Sequence, residues 1–486
     1  MKRNVAIILL VIVFPLNNIY AQRNIREEYE KFRKQSAKAY VNFREQCNKD
    51  YIEFLQASWE YYQSGPVIPK PVEEEVPPIV IDIERDQVPI EEDKLPFCEI
   101  VPIVEEEPQP QPVEPVVTTP IMGDDWFEFV FFGTTMKVRA GDNNRFALKS
   151  IKGKDVAKAW KKLSGIEYDS ILSDCLKLRD DYRLCDWAYL LMLKTFSETF
   201  LDSYNEVVLL TAYLFSQSGY KMRLGATDKE LCLLFGTRHQ IYGRPCFDID
   251  GYYYYQLNGD LKEMQIANFT FPQEQGLSLA LPYIPVLTRE ESVIRTFTAK
   301  EYGTSSTCTV NKNLLAFYES YPTSQLDDNP LTRWAMYANA PLDENVKTQL
   351  YPALRTAIEG KEKSEAADIL LDFVQTAFEY EYDDVLWGGD RAFFAEESLY
   401  YPYCDCEDRS ILYSHLVRDL LDLDVILVYY PGHLATAVKF SQPLKGDHVI
   451  LNGQKYVICD PTYIGAPVGV SMLGLDTENT KVILLK

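Results

Sequence analysis

The chain has 486 residues, of which 47% are hydrophobic and 25% charged, enough for about three domains with buried cores. Its net charge of -23 argues against nucleic acid or an anionic membrane as a partner. Residues 65–120 hold 14 acidic and 3 basic residues, so about half of the net charge lies in this one segment.

Residues 1–21 have the pattern of a cleaved secretory signal. Lys2 and Arg3 precede an apolar run, 5–14, that is too short to span a bilayer, and Ala21 is a suitable residue before a cut. We therefore expect an exported protein (periplasmic, cell-envelope or extracellular) without a transmembrane anchor. The ten cysteines would meet an oxidising compartment, but their spacing indicates no pairing.

Residues 22–64 contain an eleven-residue aromatic repeat. Three helical turns of 3.67 residues make eleven, so the repeat predicts one long helix over 23–63 with an aromatic stripe. Two interpretations stay open: a coiled coil or docking helix for self-association or a partner, and a helix that packs on the chain's own domains. The repeated residues are Tyr29, Tyr40, Tyr51, Tyr62, Phe32, Phe43 and Phe54.

Residues 65–120 hold 13 of the 27 prolines together with the acidic runs. Acidic, proline-rich sequence is extended and forms no packed core, which predicts a plain linker. Its apolar stretches "PPIVIDI" and "CEIVPIV" are the alternative, as added edge strands.

From residue 121 the patterns predict an α+β protein. A hairpin at "DDWFEFVFFGTTMKVRA" is followed by three helical runs and then by strands, in a domain over 121–275. Residues 276–344 are predicted as a β-rich connector that includes "LLAFYESYP". A last domain over 345–486 begins with helices and ends with strands, and Asn452-Gly453 predicts a hairpin there.

Three residues of the last domain combine the groups that nucleophilic catalysis needs. Cys406 begins a helical run, His433 opens a strand after a Pro-Gly turn, and Asp460 ends a strand. Antiparallel pairing of those strands would set the imidazole beside the carboxylate. His415 is excluded as the base, since nine residues of helix place it roughly 13 Å along the axis from Cys406.

The start of a helix is a favourable position for a cysteine nucleophile. Helix N-termini and a neighbouring imidazolium favour the thiolate, and backbone N–H groups there can bind an oxyanion. The carboxylates of Glu407 and Asp408 would oppose the thiolate if they were close, so we expect them to point to backbone or to Arg409. Trp387 and Tyr400 are candidates for a further oxyanion donor.

The stretches "CDCEDRSILYSHLVRDLL", "YPGHLATAV" and "YVICDPTYIG" together resemble the core of the transglutaminase-like superfamily, a papain-like cysteine fold. The resemblance covers about 345–486 and implies a helix-borne cysteine packed on an antiparallel sheet. It also implies Cys406 as nucleophile, His433 as general base and Asp460 as the orienting acid. Cys404 departs from the family pattern, which has glycine there, and is either a bystander or a redox partner.

Residues 121–275 resemble a degenerate copy of the same fold. Asn205 takes the place of the thiol and Asn258 that of the acid, and we expect His239 alone to correspond to the base. Asparagine cannot act as the nucleophile, so this copy is expected to be non-catalytic and to serve substrate binding or support. Exported proteins with a degenerate first copy and an intact second copy have a similar layout.

The expected function is attack on an amide bond of a protein or peptide substrate, through a thioester intermediate and without a cofactor. Hydrolysis is favoured over lysine crosslinking, because nothing in the sequence marks a lysine tunnel or a calcium site. The alternatives are a non-catalytic binding or scaffold protein of the cell envelope, and a zinc site. The residues for zinc would be Cys404, Cys406, His433 and Cys459, at a weak ligand spacing.

Overall fold

The structure is a computed structural model, and it describes residues 42–57, 59–72, 76–103, 110, 125–387 and 391–486. The chain is a mixed α+β protein with two six-stranded sheets, as the sequence predicts at this level. The predicted signal peptide, 1–21, lies outside the described residues. Within those residues, no helix combines the length and apolar character needed to cross a bilayer.

The N-terminal helix is shorter than predicted. Helix α1 covers 42–55, and the chain then extends into strand β1 (Glu60–Gln63), so the predicted helix does not reach residue 63. Backbone pairing of β1 with the first sheet overrides the helical repeat. Tyr51 and Phe54 pack against Phe269, and Tyr51 also contacts Trp160. Tyr51 and Phe54 of the stripe therefore cover the first domain of their own chain, whereas Phe43 is exposed. Residues 22–41 lie outside the described part.

The first domain is a sheet covered by helices. Helix α5 packs on β5 and β6, with α2 and α4 against its other side. Its elements are β3 (Trp126–Phe131), β4 (Thr134–Arg139), a 3-10 turn (Asp142–Asn144), α2 (Gly153–Leu163), a 3-10 turn (Ile166–Tyr168), α3 (Asp169–Asp181), α4 (Asp186–Phe200), α5 (Tyr204–Gln217), β5 (Met222–Ala226), β6 (Leu231–Thr237), β7 (Gln240–Ile241), β8 (Phe247–Ile249), β9 (Tyr252–Gln256) and β10 (Glu263–Ala267).

The connector is not mainly β, contrary to the prediction. "LLAFYESYP" lies largely in helix α6, where Asn311 caps the first turn by accepting a hydrogen bond from Asn313 N. Leu314, Leu315, Phe317 and Tyr318 are buried at helical spacing, and this packing outweighs the preference of the aromatic residues for a strand. The elements are β11 (Arg295–Thr298), β12 (Ser305–Cys308), α6 (Lys312–Glu319), β13 (Ser324–Gln325) and α7 (Thr332–Asn339).

The second domain repeats the plan of a sheet with a buried helix. Helix α12 packs on β16 and β17, and α7, α9 and α11 contact its other sides. The elements are α8 (Glu344–Ile358), α9 (Lys363–Thr376), β14 (Glu379–Tyr380), α10 (Asp383–Leu386), α11 (Ala395–Tyr400), β15 (Tyr403–Cys404), α12 (Cys406–Leu421), β16 (Val425–Tyr430), β17 (His433–Val438), β18 (His448–Leu451), β19 (Gln454–Cys459) and β20 (Lys481–Leu484).

The two sheets have the same strand order. The first runs β10-β5-β6-β9-β8 and the second β20-β16-β17-β19-β18, each following one buried helix, α5 or α12. Each sheet gains an edge strand from the N-terminal part of the chain: β1 beside β10, and β2 (Glu99–Val101) beside β20. A large insertion distinguishes the second domain, because residues 377–405 separate α9 from α12, whereas α4 and α5 are nearly continuous.

The predicted linker is not a plain spacer. Residues 76–101, which we call the strap, lie along the second domain. Strand β2 pairs in parallel with β20, and Leu95 N donates to His448 O at 2.8 Å. A 3-10 turn, Arg85–Gln87, precedes these contacts in the strap. The apolar residues among the prolines supply backbone donors and side chains for an existing sheet edge, although they build no core of their own.

Candidate active site

The start of α12 is fixed by reciprocal capping. Asp405 is the N-cap residue, and its carboxylate accepts from Asp408 N at 3.4 Å, while Asp408 accepts from Asp405 N at the same distance. Asp408 also accepts from Phe393 N at 2.8 Å, which ties the insertion to the helix. Cys406 is the first helical residue and is buried. The thiol therefore lies at the positive end of a helix whose start cannot fray easily.

His433 and Asp460 form a buried pair. The Nε2 atom of His433 lies 2.9 Å from Oδ2 of Asp460, and both side chains are almost fully buried. Strand β17 begins at His433 and pairs antiparallel with β19, which ends one residue before Asp460. The structure thus brings these two residues together by the pairing that the turn signals predict.

The carboxylate of Asp460 is held on both oxygens. Oδ1 accepts from Thr462 N at 2.9 Å and from Tyr463 N at 3.2 Å, an Asx-type turn that leaves Oδ2 for the imidazole. Because Nε2 faces Asp460, the other ring nitrogen of His433 points away from it. That Nδ1 atom is buried and has no hydrogen-bond partner among the described residues.

Cys406 lies on the face of α12 that meets the strand carrying His433. Ser410, one helical turn after Cys406, donates from Oγ to Leu434 O at 2.8 Å, so this face of α12 meets the start of β17. The Sγ atom of Cys406 itself donates to Oε2 of Glu407 at 3.2 Å. Glu407 therefore does not point to backbone or to Arg409 as predicted, whereas Asp408 does bind backbone.

Several buried carboxyl groups lie together at the start of α12, and one of them, Glu407, contacts the thiol. Oxygens of Asp383, Asp405 and Glu407 lie within 4.8 Å of one another, a spacing that suits a hard cation. Burial, together with the charges of Asp383 and Glu407, holds the pKa of Asp408 well above its usual value of 3.8. The four cysteine and histidine candidates for zinc form no such group within the part of the chain that the structure describes.

Cys404 is a second buried thiol with a different environment. Its Sγ lies 3.9 Å from Glu379 O, and burial raises its pKa to about 11. None of the ten cysteines is in a disulfide, so Cys404 is not joined to Cys406. A thiol with so high a pKa is a poor nucleophile near pH 7, which agrees with the bystander role.

The two weak oxyanion candidates line the insertion. Trp387 is partly exposed and packs edge-on against Tyr401, with ring centroids 4.9 Å apart, while Arg391 lies 4.5 Å from the Trp387 ring. Tyr400 contacts the ring of Tyr401. These contacts form an aromatic rim and give neither residue a defined donor role.

Among its described residues, the first domain has no histidine–aspartate pair at the position equivalent to His433 and Asp460. Asn205, in the first turn of α5, uses its side chain to accept from Leu231 N at 2.7 Å, which ties the helix to the start of β6. His239 follows the end of β6, whereas His433 begins β17, so His239 does not correspond to the base. Its ring bridges Ser324 Oγ (3.3 Å) and Leu279 N (3.2 Å), and burial lowers its pKa to about 3.

Sequence reasoning missed the residues that support the pair, namely Gln375, Arg85 and Ser410. Gln375 lies on α9 and donates to Asp460 O at 2.9 Å. Arg85 donates to Gln375 at 2.8 Å and is one of the three basic residues in the acidic segment. A basic residue isolated among acidic ones was the sequence signal that could have identified it.

Comparisons with protein-family models, with curated proteins and with solved structures find no match. Function is therefore inferred from the side chains and backbone of this chain.

Proposed function

We propose that the protein is an exported cysteine enzyme of transglutaminase-like type that acts on amide bonds of proteins or peptides. Cys406 is the nucleophile, His433 the general base and Asp460 the residue that orients the imidazole. The first domain is a non-catalytic copy that supports the second or binds substrate.

One observation carries this proposal: the buried His433–Asp460 pair leaves Nδ1 without a partner beside the helix that bears Cys406. An unpaired nitrogen in the protein interior costs free energy on the order of 1–3 kcal/mol, so its retention favours a function. Catalytic hydrogen bonds are often long before substrate binds, and rotation of the thiol from Glu407 toward Nδ1 would complete the triad.

The chemistry follows from this arrangement. Nδ1 takes the thiol proton, and the thiolate attacks the amide carbonyl to form a tetrahedral oxyanion, which backbone N–H groups at the start of α12 can stabilise. The imidazolium returns the proton to the departing amine, and a thioester remains. Water, activated by His433, then releases the acid and the free thiol.

The test compares Cys406→Ala with Cys404→Ala in the full mature chain. Both residues are buried cysteines outside any disulfide and lie two positions apart, so the second variant controls for the loss of a sulfur atom. We expect peptide cleavage by Cys406→Ala to fall to background, a loss of about 10³-fold or more, while Cys404→Ala retains activity. Equal activity in the wild type and in Cys406→Ala would refute the proposal.

The same assay separates hydrolysis from crosslinking. A primary amine supplied with a glutamine-containing protein is incorporated by a crosslinking enzyme, whereas a hydrolase releases new amino termini or free acids. We propose hydrolysis, and incorporation of the amine in preference to cleavage would assign the crosslinking activity instead.

A non-catalytic binding or scaffold protein is the second candidate. It is favoured by the hydrogen bond from Cys406 to Glu407, since a carboxylate beside the sulfur opposes thiolate formation. In that case Cys406 would react slowly with iodoacetamide near pH 7. Rapid labelling that persists at acidic pH would argue for the enzyme.

A further inference from the structure

The first part of the strap contacts the second domain at the ends of the strands that carry His433 and Asp460. Val76 N donates to Gly432 O at 2.9 Å, directly before His433. Farther along, Ile81 N donates to Ile464 O at 2.9 Å, and Ile464 N donates to Ile79 O at 3.0 Å, four residues after Asp460. The strap therefore contacts the backbone beside both members of the pair.

Arg85 anchors the strap in the interior. Its guanidinium is buried, pairs with both carboxylate oxygens of Asp368 at 2.7 and 2.8 Å, and donates from Nη1 to Oε1 of Gln375 at 2.8 Å. Asp368 also accepts from Val468 N at 2.8 Å, so this ion pair reaches the segment that follows Asp460.

Gln375 connects this anchor to the catalytic acid. Its Nε2 atom lies 2.9 Å from Asp460 O, 2.8 Å from Tyr463 O and 3.1 Å from Ala466 O. An arginine side chain can only donate hydrogen bonds, so the contact with Arg85 requires Oε1 to face the strap. The amide N–H groups must then face the three carbonyl groups of residues 460–466, which we call the Asp460 loop.

From this chain of contacts we infer that Arg85 and Gln375 are positioning residues for the catalytic pair, and that the strap completes the active site. The inference rests on the proposed function. Arg85 orients the amide of Gln375, Gln375 holds the Asp460 loop, and that loop sets the carboxylate against His433. The acidic, proline-rich segment therefore helps to position the active site of the second domain.

The test measures iodoacetamide labelling of Cys406 by mass spectrometry across a pH series, together with kcat and KM on a peptide. The variants Arg85→Gln and Gln375→Glu are made in the full chain. Gln375→Glu keeps the contact with Arg85 but removes the N–H donors. In both variants we expect the midpoint pH of Cys406 labelling to rise by about one unit or more and kcat to fall at least about tenfold, with KM little changed.

Arg223→Gln is the matched control. Arg223 is equally buried and pairs with Glu274 at 3.0 Å in the first domain, so this variant breaks an ion pair of the same kind away from the site. We expect it to lower stability without moving the labelling midpoint. Arg85→Lys preserves a positive charge for Asp368, and we expect it to fold and to give an intermediate shift even if Arg85→Gln does not fold.

The two possible failures are distinguishable. If wild-type Cys406 labels like an ordinary thiol and its loss leaves activity intact, the proposed function fails. If wild-type Cys406 is activated but folded Arg85→Lys and Gln375→Glu keep the wild-type midpoint and kcat, the positioning role is overturned and the proposed function stands.

Discussion

At the residue scale, Asp460 divides its two oxygens between different tasks. Oδ1 accepts two backbone N–H groups of its own turn, and Oδ2 meets the imidazole of His433. This arrangement fixes the carboxylate before any substrate binds, which is what an orienting residue requires.

Asp460→Asn tests that role. The amide keeps an oxygen for Thr462 and Tyr463, but its NH₂ group faces Nε2 of His433 and favours the tautomer with the proton on Nδ1. A base protonated on Nδ1 cannot take the thiol proton, so we expect kcat/KM to fall about 10²- to 10⁴-fold. Asp447→Asn is the control, because its carboxylate binds only the backbone N–H groups of Asp93 and Ser471 in the described contacts. Similar losses in both variants would contradict a specific role.

Asp460 supports the proposed catalysis, whereas Glu407 opposes it. The carboxylate of Glu407 lies beside the sulfur of Cys406 and disfavours the thiolate. Glu407→Gln removes the negative charge and leaves the size unchanged, so the thiolate becomes more favourable. We expect labelling of Cys406 at pH 7 to accelerate by about threefold to tenfold. The exposed Glu365→Gln serves as the control, and an unchanged or slower rate in Glu407→Gln would show that the carboxylate does not oppose the thiolate.

At the element scale, the insertion 377–405 places acidic side chains inside the protein. Helix α11 buries Glu396 and Glu397, and burial raises the pKa of each to about 7. Glu397 pairs with Arg391 at 2.6 Å, while Glu396 accepts from Asp343 N at 2.6 Å and from Tyr318 at 3.2 Å. The helix is therefore joined to the connector and to α8 by groups that titrate near neutral pH.

Glu396→Gln tests this linkage. The folded protein keeps a proton on Glu396 up to a pKa of about 7, whereas the unfolded chain loses it near 4.5. Because the folded state then binds more protons, stability falls as pH rises from about 4.5 to about 7. We expect Glu396→Gln to flatten this part of the curve, as measured by denaturant unfolding between pH 5 and 8. Glu365→Gln should leave the slope unchanged, and an unaltered slope in Glu396→Gln would exclude Glu396 as its source.

At the scale of the whole molecule, the two sheets share one strand order, but the two domains differ in the segments that surround the sheets. The second domain has the insertion before α12, which Asp408 ties to the start of that helix, and the strap, which contacts the backbone beside His433 and Asp460. In the first domain, α4 leads almost directly into α5, and Asn205 binds backbone instead of an imidazole. We propose that the shared topology reflects an internal duplication in which one copy lost the site.

The rates at which the ten cysteines are alkylated test which parts of the chain are buried. Cys98 is exposed, while burial raises the pKa of Cys185, Cys308 and Cys459 to about 12. In the native protein we expect Cys98 and an activated Cys406 to be alkylated first, and the other buried thiols only after unfolding. Mass spectrometry before and after addition of denaturant measures this order. Native labelling of Cys459 as fast as that of Cys98 would contradict the described burial.

Local signals predicted much of the second domain. The strand patterns around His433 and Asp460, the Asn452-Gly453 hairpin and the helical run after Cys406 all lie close to their observed positions, because turns and short antiparallel pairs depend on neighbouring residues. Capping by Asp405 belongs to the same class of short-range interaction.

The sequence by itself determined the α+β class and the helix start at Cys406, since these depend on contacts between residues near in sequence. The turn signals also predicted the antiparallel strands that join His433 to Asp460, although β18 lies between those two strands in the chain. Only the tertiary structure decided that "LLAFYESYP" is helical, that His239 is a structural histidine, and that the thiol meets Glu407. It also decided that Arg85 reaches Gln375 across 290 positions of sequence. Such contacts follow from burial and from backbone groups that need partners after the chain has folded, and no local pattern of residues specifies them.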